Sequence, residues 1–193
     1  MTTALIVPGL GNSGPDHWQS WWQALEPESV RVEQENWTTP DLLRWAATLA
    51  AALDSEGRPV WIVAHSFGCL AAVVAATARP GSVRGAFLVA PADPQKFDVA
   101  RHLPQTALPF PSLLVASSTD PWMKLMTAAL WAERWGSRLV NIGAAGHVNP
   151  ASGFGPWIEG RALFGRLCHS QQEWLHGDIG VDAGEVKPHF RSP

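Results

Sequence analysis

Ser66 lies where a buried apolar run changes into an alanine-rich segment. The pentapeptide Ala64-His65-Ser66-Phe67-Gly68 closes the apolar run that begins at Val60 and precedes the run Cys69 to Ala78. This pattern predicts a strand that turns sharply into a helix with a serine at the apex, which is the geometry of a nucleophile elbow. In such a turn the hydroxyl is directed toward a substrate, and the N–H of Phe67 can help to stabilise an oxyanion. The chemistry would be nucleophilic attack on a carbonyl carbon.

The pentapeptide alone leaves a purely structural interpretation open. Small residues must flank the turn, because the strand and the helix approach each other closely there. Gly68 meets this requirement on one side, and Ala64 stands where the Gly-x-Ser-x-Gly pattern has its first glycine. A string of this kind also occurs in ordinary buried strands followed by turns. The partners of Ser66 therefore decide between the two interpretations.

Two such partners follow later apolar runs. Asp120 comes shortly after the run that ends at Ala116, and His147 follows the run that ends at Ile142, after a short glycine- and alanine-containing loop. In a parallel sheet, functional side chains collect in loops at the carboxyl ends of strands. The chain order Ser66, Asp120, His147 is that of α/β-hydrolases. We therefore expect these three residues to form a catalytic triad without a metal ion.

Each partner also has an alternative interpretation. Asp120 precedes Pro121 and is typical of a helix N-cap, a role that one carboxylate can combine with orienting a histidine. Asp93 and Asp98 follow an earlier strand and are rival acids. His147 could be an ordinary loop residue. His65 is not offered as the base, because neighbouring side chains diverge at the turn.

The order of apolar runs and helical patterns predicts an α/β protein. Alternation of this kind indicates right-handed crossovers and a three-layer α/β/α sandwich with a six-stranded parallel sheet. The six candidate strands are Ala4 to Val7, Val30 to Val32, Val60 to Ala64, Gly85 to Ala90, Ser112 to Ala116 and Leu139 to Ile142.

Helix start signals occur twice in good form. Thr39 is the predicted N-cap of a helix through Leu53, with Pro40 at its first position. Asp120 and Pro121 repeat the signal before a helix from Trp122 to Trp135, which Gly136 ends. Helical spacing of large apolar side chains predicts core-facing stripes, which contain Trp18, Trp21, Trp22 and Leu25 in one helix and Trp131 and Trp135 in another.

Length and composition favour one soluble domain. We assign residues 1–169 of the 193-residue chain to that domain, and residues 170–193 to a polar tail that is peripheral or partly disordered. A net charge of −3 argues against nucleic acid as a partner. Cys69 and Cys168 form no paired motif, which fits a cytoplasmic protein without redox or zinc chemistry. The apolar N-terminal run is too short to span a membrane.

The first loop has a competing interpretation. The segment Gly9 to Gly14 matches G-x-G-x-x-G after the first strand, and Glu33 and Glu35 lie where a dinucleotide fold keeps its ribose carboxylate. In that fold the helix begins inside the motif, so Pro15 would fall in its first turns and oppose them. We favour an open loop whose Leu10 N–H completes the oxyanion hole with Phe67, and we expect no cofactor.

Together, these motifs resemble the RBBP9/YdeN family of small serine hydrolases. The likeness spans roughly residues 4 to 168 and depends on Pro8 to Gln19, the Ser66 pentapeptide, Asp120 and Gly146-His147-Val148-Asn149. It implies a minimal α/β-hydrolase fold that lacks the first two strands of the full fold, with Ser66, Asp120 and His147 as the triad. We also expect substrate contacts from Asn12, Ser13, His17 and Trp122.

The predicted reaction is hydrolysis of a small ester, thioester or amide through an acyl-enzyme. The interval between Ala90 and Ser112, where larger hydrolases insert a lid, holds only about 20 residues. Because this interval is too short to form a large lid, we expect a shallow site that accepts a small-molecule substrate. The alternative is a non-catalytic binding protein that retains a relic of the hydrolase site, since sequence alone does not show whether a triad is aligned.

Overall fold

Six parallel strands form one sheet. In the computed structural model, which describes residues 4–174, the strands are β1 (Ala4–Val7), β2 (Val30–Arg31), β3 (Val60–His65), β4 (Val83–Val89), β5 (Ser112–Ala116) and β6 (Arg138–Asn141). Their order across the sheet is β2-β1-β3-β4-β5-β6, and every neighbouring pair is parallel. The predicted α/β class and the six strands are confirmed, with ends that shift by up to two residues.

Helices cover the sheet on both faces. The chain forms α1 (Trp18–Leu25), α2 (Leu42–Ser55), α3 (Phe67–Thr77), α4 (Leu125–Trp135) and α5 (Ile158–Trp174). One buried cluster joins α2, α3 and α4 to the sheet, and a second joins α1 and α5 to the opposite face. In β1 the side chains of Leu5 and Val7 belong to the first cluster, while Ala4 and Ile6 belong to the second. This alternation places a core on each side of the sheet and produces three layers.

Both predicted helix starts are wrong by a few residues. The N-cap of α2 is Asp41 rather than Thr39, because the Asp41 carboxylate accepts the Arg44 N–H at 3.1 Å. Pro40 therefore lies before the helix. The helix α4 begins at Leu125 instead of Trp122, and Asp120 does not cap it. Gly136 does end α4, in the left-handed conformation that favours glycine.

The predicted aromatic stripe of α1 is only half correct. Trp18 and Trp22 lie four residues apart and are buried against the sheet. Trp21 and Leu25 lie on the outward side and are 45% and 57% exposed, so the prediction that they face the core is wrong. The helix has only eight residues and one narrow buried face, which holds two aromatic rings rather than three. In α4, Trp131 and Trp135 are buried as predicted.

The last helix passes the predicted domain end. Because α5 continues to Trp174, the first five residues of the predicted tail, 170–174, are helical, and the remainder lies outside the described residues. None of the helices in the described range has both the length and the apolar character needed to cross a membrane.

Candidate active site

Ser66 occupies the sharp turn between β3 and α3. Its backbone has φ 52° and ψ −126°, a conformation that L residues rarely adopt. The Ser66 N–H donates to the Val89 carbonyl at 3.0 Å, which ties the turn to the end of β4. Strained backbone of this kind persists only where the surrounding structure enforces it. The elbow predicted from the pentapeptide is therefore present.

Close backbone packing explains the glycines around the turn. A Cβ on Gly68 would lie 2.3 Å from the Pro8 carbonyl oxygen, and one on Gly9 would lie 2.7 Å from the Ser66 Cβ. The first loop thus packs directly against the serine. Ala64, at the position of the usual first glycine, is fully buried in the core between β3 and α3. Its single methyl group fits there.

We expect Gly68→Ala to destabilise the fold, because its Cβ would meet two backbone carbonyls, of Pro8 and Val7, that cannot rotate away. Overpacking of this kind costs about 1–3 kcal/mol. Chemical denaturation measures the change in the free energy of unfolding. Gly165→Ala in α5 is the matched control, since a Cβ there meets nothing within 4 Å. Equal stability of the two variants would contradict the packing described for the elbow.

A continuous hydrogen-bond chain joins the three residues predicted to form the triad. His147 Nε2 lies 2.8 Å from Ser66 Oγ, and His147 Nδ1 lies 3.0 and 2.9 Å from the two Asp120 carboxylate oxygens. The side chains of His147 and Asp120 are 9% and 2% exposed. This arrangement can pass a proton from the serine to the imidazole and stabilise the resulting cation.

The rival acids lie elsewhere. Asp93 accepts the Gln95 N–H at 3.0 Å, and Asp98 is an exposed residue that pairs with Arg101. Asp120 instead combines two roles: one of its oxygens also accepts the Trp122 N–H at 2.8 Å. The local turn therefore fixes the carboxylate that faces His147.

The residues that hold the His147 loop were not indicated by any sequence motif. His65 Nε2 lies 2.9 Å from the His147 carbonyl oxygen, and the Ser152 hydroxyl accepts the His147 N–H at 3.1 Å. Ser117 and Thr119, just past β5, accept the N–H groups of the two residues before His147, each at 3.0 Å. A cluster of hydroxyl residues after a strand is a weak signal for such a role, because hydroxyls form similar bonds in many loops.

The first loop and the elbow present two backbone donors beside Ser66. Leu10 lines the cavity next to the serine, and Phe67 begins α3. Within the part of the chain that the structure describes, neither N–H donates to a protein carbonyl. The helix α1 starts at Trp18, well after Gly14, so the glycine segment lacks the helix N-terminus that a dinucleotide site requires. The geometry fits the predicted oxyanion loop.

A cavity of about 280 Å³ opens at Ser66. Of the four predicted substrate contacts, Asn12 and His17 line it, and Ser13 and Trp122 do not. The Ser13 hydroxyl is buried and donates to Gln19 Oε1 at 2.6 Å, so its side chain supports the loop instead. Trp122 is half exposed, with its ring centroid 6.3 Å from that of His147. The full lining comprises Leu10, Asn12, Gly14, His17, His65, Ser66, His147, Asn149 and Pro150.

His17 is a neutral member of this cavity. It is the N-cap of α1, where its Nδ1 accepts the Gln19 N–H at 3.2 Å, and its ring packs edge-on against His65. Burial, assisted by the nearby positive charge of Arg31, lowers the pKa of His17 to about 4. The ring is therefore uncharged at neutral pH, with its proton on Nε2.

The depressed pKa of His17 predicts acid sensitivity. An unfolded histidine has a pKa near 6.5, so the unfolded chain binds more protons and stability falls as pH drops from about 6.5 toward 4. His17→Asn keeps an N-cap acceptor but has no group that titrates in this range. From pH 6.5 to 4, we expect its free energy of unfolding to fall by about 2 kcal/mol less than that of the wild type. Unfolding midpoints measured at several pH values provide the test, and parallel profiles for the two proteins would contradict it.

The two cysteines do not compete with Ser66 as nucleophiles. Burial raises the pKa of Cys168 to about 12 and places that of the fully buried Cys69 thiol well above its ordinary value. A thiol is reactive only as the thiolate. Ser66 is thus the nucleophile candidate at this edge of the sheet.

Sheet order, elbow and hydrogen-bond chain together define an α/β hydrolase of the serine type. The chain belongs to the serine hydrolase family, whose model matches residues 4–166.

Solved structures have the same fold. A protein described as a YdeN-like hydrolase from Pectobacterium atrosepticum is 37% identical, with 89% of this chain and 90% of that chain covered and a TM-score of 0.80. The ydeN gene product of Bacillus subtilis is 18% identical over 88% of this chain and 100% of that one, with a TM-score of 0.71. Est1E from Butyrivibrio proteoclasticus shares the fold at 13% identity, with 91% and 88% covered and a TM-score of 0.64. No curated protein matches the sequence.

Proposed function

We propose that this protein hydrolyses a small ester, thioester or amide through an acyl-enzyme formed on Ser66. The observation that carries the proposal is the unbroken chain from Ser66 Oγ through His147 to the Asp120 carboxylate, with bond lengths of 2.8–3.0 Å. A relic site would not need to keep all three groups aligned. Ser66 is the nucleophile, His147 the general base and Asp120 the group that orients the base.

In the first half of the reaction, the Ser66 hydroxyl attacks the substrate carbonyl carbon while His147 Nε2 takes its proton. Asp120 accepts the Nδ1–H of His147 and stabilises the imidazolium. The carbonyl oxygen becomes an oxyanion, toward which the free N–H groups of Leu10 and Phe67 donate. His147 then protonates the leaving alcohol, thiol or amine, and Ser66 keeps the acyl group.

In the second half, water replaces the leaving group. His147 takes a proton from the water as it attacks the acyl carbon, and the same two N–H groups stabilise the second oxyanion. The collapse of this intermediate returns the proton to Ser66 and releases the acid. These steps use only residues of this chain, and the proposal includes no metal ion or organic cofactor.

The size of the cavity favours small substrates. At about 280 Å³ it lies at the lower end of small-molecule sites. The segment between β4 and β5, at 90–111, contains only one short helical turn, Ala100–His102. It therefore provides no long apolar lid to cover an acyl chain.

A panel of 4-nitrophenyl esters tests the proposal. We expect the acetate and butyrate to be hydrolysed with kcat/KM at least about tenfold above the dodecanoate, because a long chain gains little burial in this cavity. Release of 4-nitrophenol gives the rates, and Ser66→Ala is the background control. Preference for the dodecanoate would overturn the small-substrate assignment. Wild-type rates no higher than those of Ser66→Ala would overturn the hydrolase itself.

A further inference from the structure

Besides His65, whose Nε2 contacts the His147 carbonyl, the cavity at Ser66 contains three polar side chains that take no part in the proposed proton transfers. They are Asn12, His17 and Asn149. Their orientation is fixed by the protein, because each has an acceptor atom that is already occupied. Asn12 Oδ1 accepts the Ser13 N–H at 2.7 Å and Arg31 Nη1 at 2.8 Å. The oxygen of this amide must face those donors, so its nitrogen is the free end.

The other two side chains are fixed in the same way. Asn149 Oδ1 accepts both the N–H and the hydroxyl of Ser152, at 3.1 and 3.0 Å. His17 Nδ1 accepts the Gln19 N–H at 3.2 Å, so the proton of the neutral ring is on Nε2. Each of the three side chains thus has only hydrogen-bond donors left.

These donors are free to contact a ligand. Among residues 4–174, no protein acceptor pairs with the Nδ2 of Asn12 or Asn149, or with His17 Nε2. None of the three atoms belongs to the unpaired polar atoms that are sealed from solvent. Asn12 lies on the loop of Leu10, and Asn149 lies on the loop of His147. Residues that have a free donor therefore line the cavity on two loops beside Ser66.

A positive charge lies behind the first-loop wall of the cavity and is partly offset by the carboxylate of Glu33. Arg31 lies directly behind the wall, since its guanidinium binds Asn12 Oδ1 and also the Ser13 carbonyl at 2.7 Å. Its positive charge contributes to the lowered pKa of His17. No lining residue carries a carboxylate, and Asp120 faces His147. A group with acceptors alone, or with a negative charge, complements such a wall.

We infer that the substrate carries a carboxylate, a few bonds from the scissile carbonyl, which the Asn12, His17 and Asn149 donors bind. This inference rests on the proposed function, because it assigns the substrate class of the same site. The carboxylate satisfies donors that a hydrocarbon substituent would leave unpaired, and an unpaired buried donor costs about 1–3 kcal/mol. A site built this way discriminates strongly against substrates without the acceptor.

Binding to Ser66→Ala tests the inference without turnover. The first ligand pair is monomethyl glutarate and methyl 5-methylhexanoate, which have the same shape but differ in a carboxylate and an isopropyl group. The second pair, 4-acetoxybutanoate and 4-methylpentyl acetate, places the same difference on the alcohol side. NMR titration gives the dissociation constants. We expect the carboxylate member of at least one pair to bind at least about tenfold more tightly than its partner.

Asn12→Asp in the Ser66→Ala background is the decisive variant. It keeps the oxygen that Arg31 and Ser13 require and replaces the donor nitrogen with an anionic oxygen. We expect the preference for the carboxylate ligand to fall at least about tenfold. Asn36→Asp is the matched control, because Asn36 also accepts backbone N–H groups through Oδ1 but lies outside the cavity, and it should leave the preference unchanged.

The outcomes separate this inference from the proposed function. Equal or weaker binding of the carboxylate member in both pairs overturns the inference, as does an unchanged preference in Asn12→Asp. Undetectable binding of all four ligands overturns it as well. These results leave the hydrolase assignment intact, which depends on wild-type turnover of neutral esters. Conversely, an inactive wild-type protein that binds the carboxylate ligands tightly would support carboxylate binding by Asn12, His17 and Asn149. It would contradict the hydrolase assignment.

Discussion

Ser66→Ala should abolish ester hydrolysis, with a fall in kcat of about 10⁴ to 10⁶. In the proposed reaction the hydroxyl forms the acyl-enzyme, and no other side chain that lines the cavity is a nucleophile of comparable reactivity. The cavity and the oxyanion donors remain, so some residual rate above that of water is expected. Initial rates with 4-nitrophenyl acetate measure the loss.

The matched control for this substitution is Ser55→Ala, an exposed residue at the end of α2, before the start of β3, whereas the elbow follows the end of β3. Its hydroxyl donates only to the Ala52 carbonyl. It should retain the wild-type rate. Circular dichroism and the unfolding midpoint establish that both variants fold. If Ser66→Ala folded and retained more than about a tenth of the wild-type activity, Ser66 would not be the nucleophile.

Asp120→Asn should have the second largest effect, a fall in kcat of about 10⁴. The Trp122 N–H binds Asp120 Oδ1, so an asparagine would keep its oxygen on that donor and turn its NH₂ toward His147. His147 Nδ1 would then have to accept, which places the ring proton on Nε2. In that tautomer the imidazole cannot take the proton of Ser66. The fold itself should be retained.

The pH dependence of 4-nitrophenyl acetate turnover separates this tautomer effect from simple misfolding. Asp93→Asn, which removes a carboxylate that faces Gln95 instead of His147, serves as the control and should be nearly silent. Hydroxide can partly replace the missing base at high pH, so Asp120→Asn should recover activity as pH rises while Asp93→Asn follows the wild type. If kcat of Asp120→Asn fell by less than about tenfold, the proposal that Asp120 orients His147 would be contradicted.

Much of the fold follows from local sequence pattern. The strands β1, β3 and β5 are continuous apolar runs between turn residues, as expected for strands buried on both faces. The elbow was predictable from two local signals. A small residue, Gly68, stands where strand and helix pack closely, and a serine lies between the apolar strand and the helical segment. The positions of Asp120 and His147 beside Ser66 were predictable because the carboxyl ends of parallel strands meet at one edge of the sheet.

The failed helix starts come from competition between alternative hydrogen-bond partners, some of them distant in sequence. Asp120 has the sequence signature of an N-cap, but its carboxylate binds His147, a residue 27 positions away, and α4 begins without a side-chain cap. Thr39 also has the sequence signature of an N-cap. Its N–H instead donates to Asn36 Oδ1, and Asp41 is the N-cap of α2. A single sequence shows which backbone N–H groups lie near Asp120, but it does not show that a histidine 27 positions away competes for the same carboxylate.

The same limit applies to the cavity. Ser13 was expected to contact substrate, but its hydroxyl donates to Gln19, whose amide in turn donates to β1 and β3 through the carbonyls of Val7 and Val63. Arg31, which fixes Asn12 from a neighbouring strand, had no distinguishing signal in the sequence. Which atoms of a polar side chain remain free depends on such partners. The donor character of the cavity could therefore be found only in the folded molecule.

Labelling with a fluorophosphonate tests the central claim most directly. The probe reacts with a serine only when an aligned base activates it and oxyanion donors stabilise the adduct. Mass spectrometry of the digested protein then locates the modified residue. We predict one adduct per chain, on Ser66, with none on Ser66→Ala and labelling at least about 10³-fold slower on Asp120→Asn. An unlabelled wild-type protein, or an adduct on any other residue, would contradict the assignment of Ser66, His147 and Asp120 as a working triad.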